Sequence, residues 1–251
     1  MKALITGASS GLGADFARIL SEKGYDLILV ARRKKKMEAL AKELNTKVEI
    51  IELDISSTYN CMKLYDKVKK EKIDILINNA GFGLFGKFDE TKLDTELDMI
   101  DLNIKTVHTL TKLFLKDFKK RDSGYILNVA SAAAFLPGPL MSTYYATKAY
   151  LLHLTLAIKE ELKKDDSNVY IGALCPGPVK TEFNKVAKVK FTVKSLSSEY
   201  VTKYAIAKMF KHKTIIIPGN TTKLGIYLAK FLPMGIKLNI SYKLQKSKDT
   251  K

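Results

Sequence analysis

The chain has 251 residues, with 43 Lys plus Arg against 26 Asp plus Glu and 46% apolar residues, which excludes disordered and collagen-like chains and suffices to bury a sizeable core. The net charge of +17 is carried almost wholly by lysine, since the arginines are Arg18, Arg32, Arg33 and Arg121. A lysine-rich solvated surface fits that balance better than a nucleic-acid interface built on arginine forks.

Cys61 and Cys175 lie far apart, and no ligand spacing surrounds His108, His153 or His212, so neither a disulfide framework nor a metal site is expected. No run reaches the ~20 apolar residues of a membrane span. The first apolar run, residues 3–5, leads within two residues into a glycine turn, which leaves no room for a signal peptide and points to the cytoplasm.

Along the chain, short β-branched and apolar runs alternate with helical periodicity. Strands are predicted over 2–6, 26–31, 47–52, 73–78, 124–129, 170–175 and 214–217, and helices over 12–23, 34–44, 57–71, 91–120, 143–163 and 198–211. Strict alternation of this kind builds βαβ units, and runs apolar at nearly every position suit strands covered on both faces. The expected fold is α/β: one doubly wound domain with a seven-stranded parallel sheet flanked by helices on both faces. Residues 1–130 form mainly its cofactor-binding half, 131–222 its catalytic and substrate half, and 223–251 a basic, apolar tail. Residues 245–251 are expected to fray.

The first predicted strand runs into Thr6-Gly-Ala-Ser-Ser-Gly-Leu-Gly13. Gly7, Gly11 and Gly13 permit positive φ and close backbone approach, while Ser9, Ser10 and Leu12 sit where the helix start offers free N–H groups to a pyrophosphate. An NAD site carries an acid roughly 20 residues further on, at the end of the second strand. This chain has Arg32 and Arg33 there, and paired guanidinium groups suit a 2′-phosphate. NADP(H) is the expected cofactor, with NAD(H) as the alternative.

Ser131 follows the fifth strand, Tyr144 lies 13 residues later and Lys148 four after that, on the same helix face as Tyr144. A free phenol, with a pKa of about 10, is a poor proton donor near neutrality, but an adjacent ammonium stabilises the phenolate. Tyr144 can then exchange a proton with a carbonyl or alcohol oxygen while Ser131 hydrogen-bonds the same oxygen. Tyr145 could also reach Lys148, but it lacks the four-residue spacing.

Together, the glycine turn, Asn78-Asn-Ala-Gly81, Asn103, Ser131, Tyr144-x-x-x-Lys148 and the segment from Cys175 to Phe183 resemble the short-chain dehydrogenase/reductase family over essentially the whole chain. The resemblance implies a Rossmann-type sheet binding NAD(P)(H) and a catalytic tetrad of Asn103, Ser131, Tyr144 and Lys148, with Asn103 holding a water linked to Lys148. It further implies adenine contacts at Asp54 and Ile55 and ribose contacts at Asn79, Ala80 and Gly81. Lys148 would also bond the nicotinamide ribose, and Pro176, Gly177, Val179 and Thr181 would embrace the carboxamide. The arginine pair matches NADP-preferring members, and the loop sequences look most like a bacterial subgroup of broad carbonyl reductases.

Three segments that set selectivity in the family supply Phe82 and Phe85, then Phe135, Leu136, Leu140 and Met141, then Phe183 within 182–191. These apolar walls carry no arginine and suit an apolar ketone, aldehyde or secondary alcohol better than a charged acid; steroid, fatty acyl ketone and aromatic aldehyde all remain open. The tail can cover the pocket, pack on another subunit of a homodimer or homotetramer, or lie on an anionic membrane, with subunit packing preferred. Two other functions stay open: a dinucleotide-binding regulatory or scaffold protein, and a peripheral membrane reductase acting on a lipid-like carbonyl.

Overall fold

A computed structural model describes residues 1–183, 187 and 195–246. Strands β1 (Lys2–Thr6), β2 (Asp26–Ala31), β3 (Val48–Glu52), β4 (Ile75–Asn78), β5 (Tyr125–Val129) and β6 (Tyr170–Leu174) alternate with helices α1 (Gly11–Glu22), α2 (Lys34–Ala41), α3 (Thr58–Val68), α4 (Leu93–Ile100), α5 (Val107–Lys120) and α6 (Ser142–Lys164). Two short strands, β7 (Val179–Lys180) and β8 (Leu196–Ser197), pair with each other. After them come α7 (Ser198–Met209), β9 (Ile215–Ile216), α8 (Asn220–Ala229) and α9 (Met234–Lys246).

The main sheet has seven parallel strands in the order β3-β2-β1-β4-β5-β6-β9, as expected. Alternate residues of each strand serve opposite faces. Ala3, Ile5, Leu27 and Leu29 pack with Phe16 and Leu20 of α1, Met37 of α2 and Val201 of α7, whereas Leu4, Ile28 and Val30 pack with Leu64 of α3 and Phe114 of α5. Order reverses between β1 and β4, so the crevice at their carboxyl ends is the fold's topological switch point, where open α/β sheets bind ligands.

Two expectations, on residues 91–120 and on Gln245, need correction. The helix predicted over 91–120 is α4, one π-helical stretch (Asp101–Thr106) and α5; the wider turn accommodates an extra residue in the stretch that holds the buried Asn103, and Thr106 Oγ1 donates to the Ile55 carbonyl. The tail is two helices, broken where Pro233 cannot continue α8. Gln245, placed in the fraying end, is only 2% exposed and sits in α9, fixed by a hydrogen bond to Tyr145; residues 247–251 lie outside the described ones. No helix among the described residues is long and apolar enough to cross a membrane.

Candidate active site

At the end of β1 the chain must turn through a space too small for a side chain. Gly7 has φ +65°, and a Cβ on it would lie 2.9 Å from Ala80 Cα; a Cβ on Gly13 would lie 2.3 Å from the Gly7 carbonyl oxygen. Thr6, passed over as a site residue, clasps this turn to the end of β4: its Oγ1 accepts from the N–H of Asn79 at 2.9 Å and of Ala80 at 3.1 Å. Asn79 returns the clasp, donating from Nδ2 to the carbonyls of Thr6 (2.9 Å) and Gly7 (3.2 Å). Asn78, its neighbour, is buried beneath and bonds instead to Thr111 and Asn128. Ser10 ends the turn with no side-chain cap, and the first turn of α1 carries no acid, so the helix start offers its N–H groups and positive dipole end to an anion.

The turn floors a cleft of about 660 Å³. Gly7, Ser9, Ser10 and Leu12 line it with Arg32, Arg33, Asp54 and Ile55 on one side. Asn79, Ala80 and Gly81 line it as well, as do Pro176, Gly177, Val179 and Thr181. Gly11 and Gly13 shape the turn from behind; a Cβ on Gly11 would press on Thr181 at 3.1 Å.

The two arginines differ. Arg32 is mostly exposed and stands 3.6 Å from Asp54. Burial pushes the Asp54 carboxyl up, but the Ser56 N–H and Arg32 outweigh it and hold the group below its ordinary value. Helix α3 takes its cap from Ser57, not Asp54. Arg33 folds over the turn, donating to Ser9 Oγ at 3.0 Å and Ser10 Oγ at 2.6 Å. It also grips Glu182 at 2.6 Å, while Lys36 takes the other carboxylate oxygen of Glu182 at 2.6 Å. Hydrogen bonds from Lys36, then Arg33, hold that carboxylate at a pKa of about 2. Neither Lys36 nor Glu182 was singled out from the sequence. Contact between residues 149 apart is a product of folding that spacing does not reveal.

Ser131, Tyr144 and Lys148 line the middle of the same cleft. Ser131 Oγ accepts from the Ala133 N–H at 3.1 Å, fixing it at the end of β5. Tyr144 and Lys148, 8% and 5% exposed, lie on one face of α6, with Lys148 Nζ 5.8 Å from the Tyr144 ring centre and donating to the Val129 carbonyl at 2.9 Å. The Tyr145 hydroxyl is engaged from the tail: Gln245 Nε2 donates to it, and burial pushes its phenol up to about 12.

The expected depression of the Tyr144 pKa by Lys148 is not what these surroundings produce. Burial pushes the phenol well above its ordinary value, with a hydrogen bond from Ser131 acting against it, and burial pulls the Lys148 ammonium down to about 8. Asn103 is fully buried beside the cleft: its Oδ1 accepts from the Phe82 N–H at 3.1 Å, and its Nδ2 donates to the Phe82 carbonyl at 2.9 Å and to Thr147 Oγ1 at 3.1 Å. A Cβ on Gly81 would lie 2.7 Å from Asn103 Oδ1 and 3.5 Å from Lys148 Nζ, so both groups converge on Gly81.

Of the expected apolar walls, Phe82, Met141 and Phe183 line the cleft, with the Phe183 ring 5.4 Å from that of Tyr144. Phe85 packs behind them. Phe135 turns instead into a core cluster with Val107 and Leu151, Leu136 stays off the cleft lining, and Leu140 contributes its backbone, at φ +64°, by accepting from Gly86 N–H at 2.8 Å. Tyr145 lines the cleft instead. Of 182–191, only Glu182, Phe183 and Ala187 are described; the rest of that expected segment lies outside the described residues.

A glycine-floored crevice at the switch point of a parallel sheet defines a dinucleotide-binding α/β protein. The family model for short chain dehydrogenase matches residues 1–190. The chain belongs to that family, and is therefore an oxidoreductase that uses a nicotinamide dinucleotide. It is 34% identical to an uncharacterized oxidoreductase of Staphylococcus epidermidis over 71% of this chain and 78% of that protein. It is 30% identical to the human very-long-chain 3-oxoacyl-CoA reductase over 98% of this chain and 80% of that protein. Among solved structures, a short-chain dehydrogenase from Sphingobium yanoikuyae in complex with NADPH superposes with a TM-score of 0.82 at 28% identity, covering 92% of this chain and 96% of that one. A bulky-bulky ketone specific alcohol dehydrogenase from Comamonas testosteroni gives 0.79 at 26% identity, covering 91% and 90%.

Proposed function

We propose that the protein is an NADP(H)-dependent reductase of apolar ketones or aldehydes, with the reverse oxidation of the corresponding alcohols. One observation carries the reading: a buried phenol and ammonium stand in one cleft between a glycine turn with a cationic clamp and an apolar wall. The clamp fits the cofactor. The Glu182 carboxylate, held by Arg33 and Lys36, is a stand-in for a phosphate dianion, and Ser9 and Ser10 add hydroxyls beside it.

Bound there, the dinucleotide supplies or accepts a hydride. Tyr144 gives the carbonyl oxygen its proton, a contribution of roughly 10²- to 10⁴-fold. Near neutrality the phenol holds the proton this step needs; burial makes it a weaker acid, and the Ser131 hydrogen bond acts against that burial. Ser131 hydrogen-bonds the same oxygen as negative charge develops on it, and the Lys148 ammonium stabilises the phenolate left after transfer. Asn103 fixes the Phe82 backbone, and the second lone pair of its Oδ1 holds a water that returns protons toward Lys148. Phe82, Met141 and Phe183 exclude solvent and select an apolar carbonyl compound, an expectation consistent with the bulky-ketone and long-chain acyl names of two relatives.

The test is NADPH and NADH oxidation by the purified protein over a panel of cyclic, long-chain and aromatic carbonyls. Turnover of apolar members with NADPH preferred is expected. Cofactor binding with no turnover across the panel would favour a dinucleotide-binding regulatory protein instead.

A further inference from the structure

Helices α8 and α9 leave an unusual amount of apolar surface outside the core. Ile226 is the buried residue of α8, while Leu224, Tyr227, Leu228 and Phe231 form an i, i+3, i+4, i+7 stripe that is 57%, 57%, 54% and 71% exposed. On α9, Ser241 and Gln245 face the protein, and Ile236 and Ile240, 49% and 45% exposed, lie on the far side. Contiguous apolar surface of this kind marks a contact with something apolar.

Charge says which. Between residues 200 and 246 the sequence has no Asp or Glu, and Lys223, Lys230, Lys243 and Lys246 stand exposed among those apolar side chains. A twofold contact with a second copy through these helices would set lysine against lysine with no carboxylate on either to pair them. An anionic lipid surface instead accepts both features, taking the apolar side chains below its headgroups while the lysines meet its phosphates.

The two helices also border the substrate side of the cleft. Ser241 Oγ donates to the Pro137 carbonyl at 3.2 Å, Gln245 donates to Tyr145, which lines the cleft, and Thr222 of α8 abuts Gly177, another lining residue. We propose that α8 and α9 seat the protein peripherally on an anionic lipid bilayer, through the Leu224–Phe231 stripe, Ile236, Ile240 and the flanking lysines, so that an apolar carbonyl reaches the cleft from the membrane. The docking surface stands on its own; only the delivery of a carbonyl substrate rests on the reductase reading.

The experiment is sedimentation of the full chain with vesicles of phosphatidylcholine alone or mixed with phosphatidylglycerol, at low and high salt, alongside sedimentation velocity without vesicles. Binding to the mixed vesicles, weak on the neutral ones and reduced by salt, is expected. Leu228→Ser with Phe231→Ser should lower partitioning about tenfold or more, and Lys223→Gln with Lys230→Gln several-fold on anionic vesicles. All the variants should keep wild-type melting temperature and turnover of a water-soluble carbonyl. Equal sedimentation with and without anionic lipid overturns the proposal. So does a wild-type dimer that the Leu228/Phe231 variant dissociates in the absence of vesicle binding, which would assign the stripe to a second copy. Absent turnover in every protein, with vesicle binding intact, would count against the reductase reading alone.

Discussion

The two ends of the cleft are built by opposite means. At the cofactor end, backbone does the shaping: Gly7 and Gly13 admit no Cβ, and Thr6 and Asn79 stitch two strand ends together through main-chain groups. At the substrate end, side chains from four separate stretches meet: Phe82, Met141, Phe183 and, through Gln245, the C-terminal helix. Backbone demands dictate particular residues at fixed spacing, whereas an apolar wall accepts many side chains. That difference explains why one end identifies a family and the other does not identify a substrate.

Tyr144 stands at the border, so its removal should divide the two ends most sharply. Tyr144→Phe is expected to lower turnover by about 10²- to 10⁴-fold, while calorimetry shows NADPH binding within a factor of about two of wild type. A comparable loss of NADPH affinity would mean the ends are not separable.

Arg33→Ala acts on the cofactor end alone. It should weaken NADPH by about ten- to a hundredfold, from the loss of charge-assisted bonds, with NADH and the carbonyl KM little changed. Arg32→Ala, removing a mostly exposed guanidinium 3.6 Å from Asp54, should have a much smaller effect. Equal losses of NADPH and NADH on Arg33→Ala would refute the phosphate assignment.

The middle of the cleft can be probed through stability. Lys148 titrates at about 8 in the fold against 10.5 as a free side chain, so between those values the unfolded chain holds more protons. Stability linked to Lys148 therefore rises as pH climbs from about 8 toward 10, by about 2 kcal/mol, and its destabilising cost is fully present below 8. Denaturant melts of wild type and Lys148→Met across this range should differ by that rise; parallel curves would place Lys148 in a wetter site than its 5% exposure implies.

Glu182 joins the two ends, since it precedes Phe183 of the apolar wall and occupies the Arg33–Lys36 clamp. The smallest effect is expected here, with the opposite sign. Glu182→Gln removes an anion that competes for the clamp and should tighten NADPH about two- to fivefold without altering NADH. Weaker NADPH binding would show that the carboxylate supports the clamp.

What the sequence disclosed follows the same division. The seven strands, the glycine turn and the cleft-lining positions of Ser131, Tyr144 and Lys148 were legible because periodicity and fixed spacing encode them. Lys36 and Glu182 were not, since their pairing depends on how the chain closes over the turn. Phe135 was misassigned to the pocket because an aromatic residue in a loop reads alike whether it faces a ligand or, as here, Val107 and Leu151. The π-helical stretch around Asn103 left no mark in the apolar pattern, since one added residue shifts a helical stripe only slightly. The upward push on the Tyr144 phenol was hidden for a similar reason. Spacing reveals that a lysine is near but not how thoroughly both groups are stripped of water.

The most direct test of the account is the position of one oxygen in a crystal of the protein with NADP⁺ and an apolar ketone that the panel identifies. The account predicts Tyr144 Oη within about 3.2 Å of the ketone oxygen, with Ser131 Oγ on the same atom. A ketone oxygen held by other groups, with the Tyr144 hydroxyl directed away from it, would contradict the proposal.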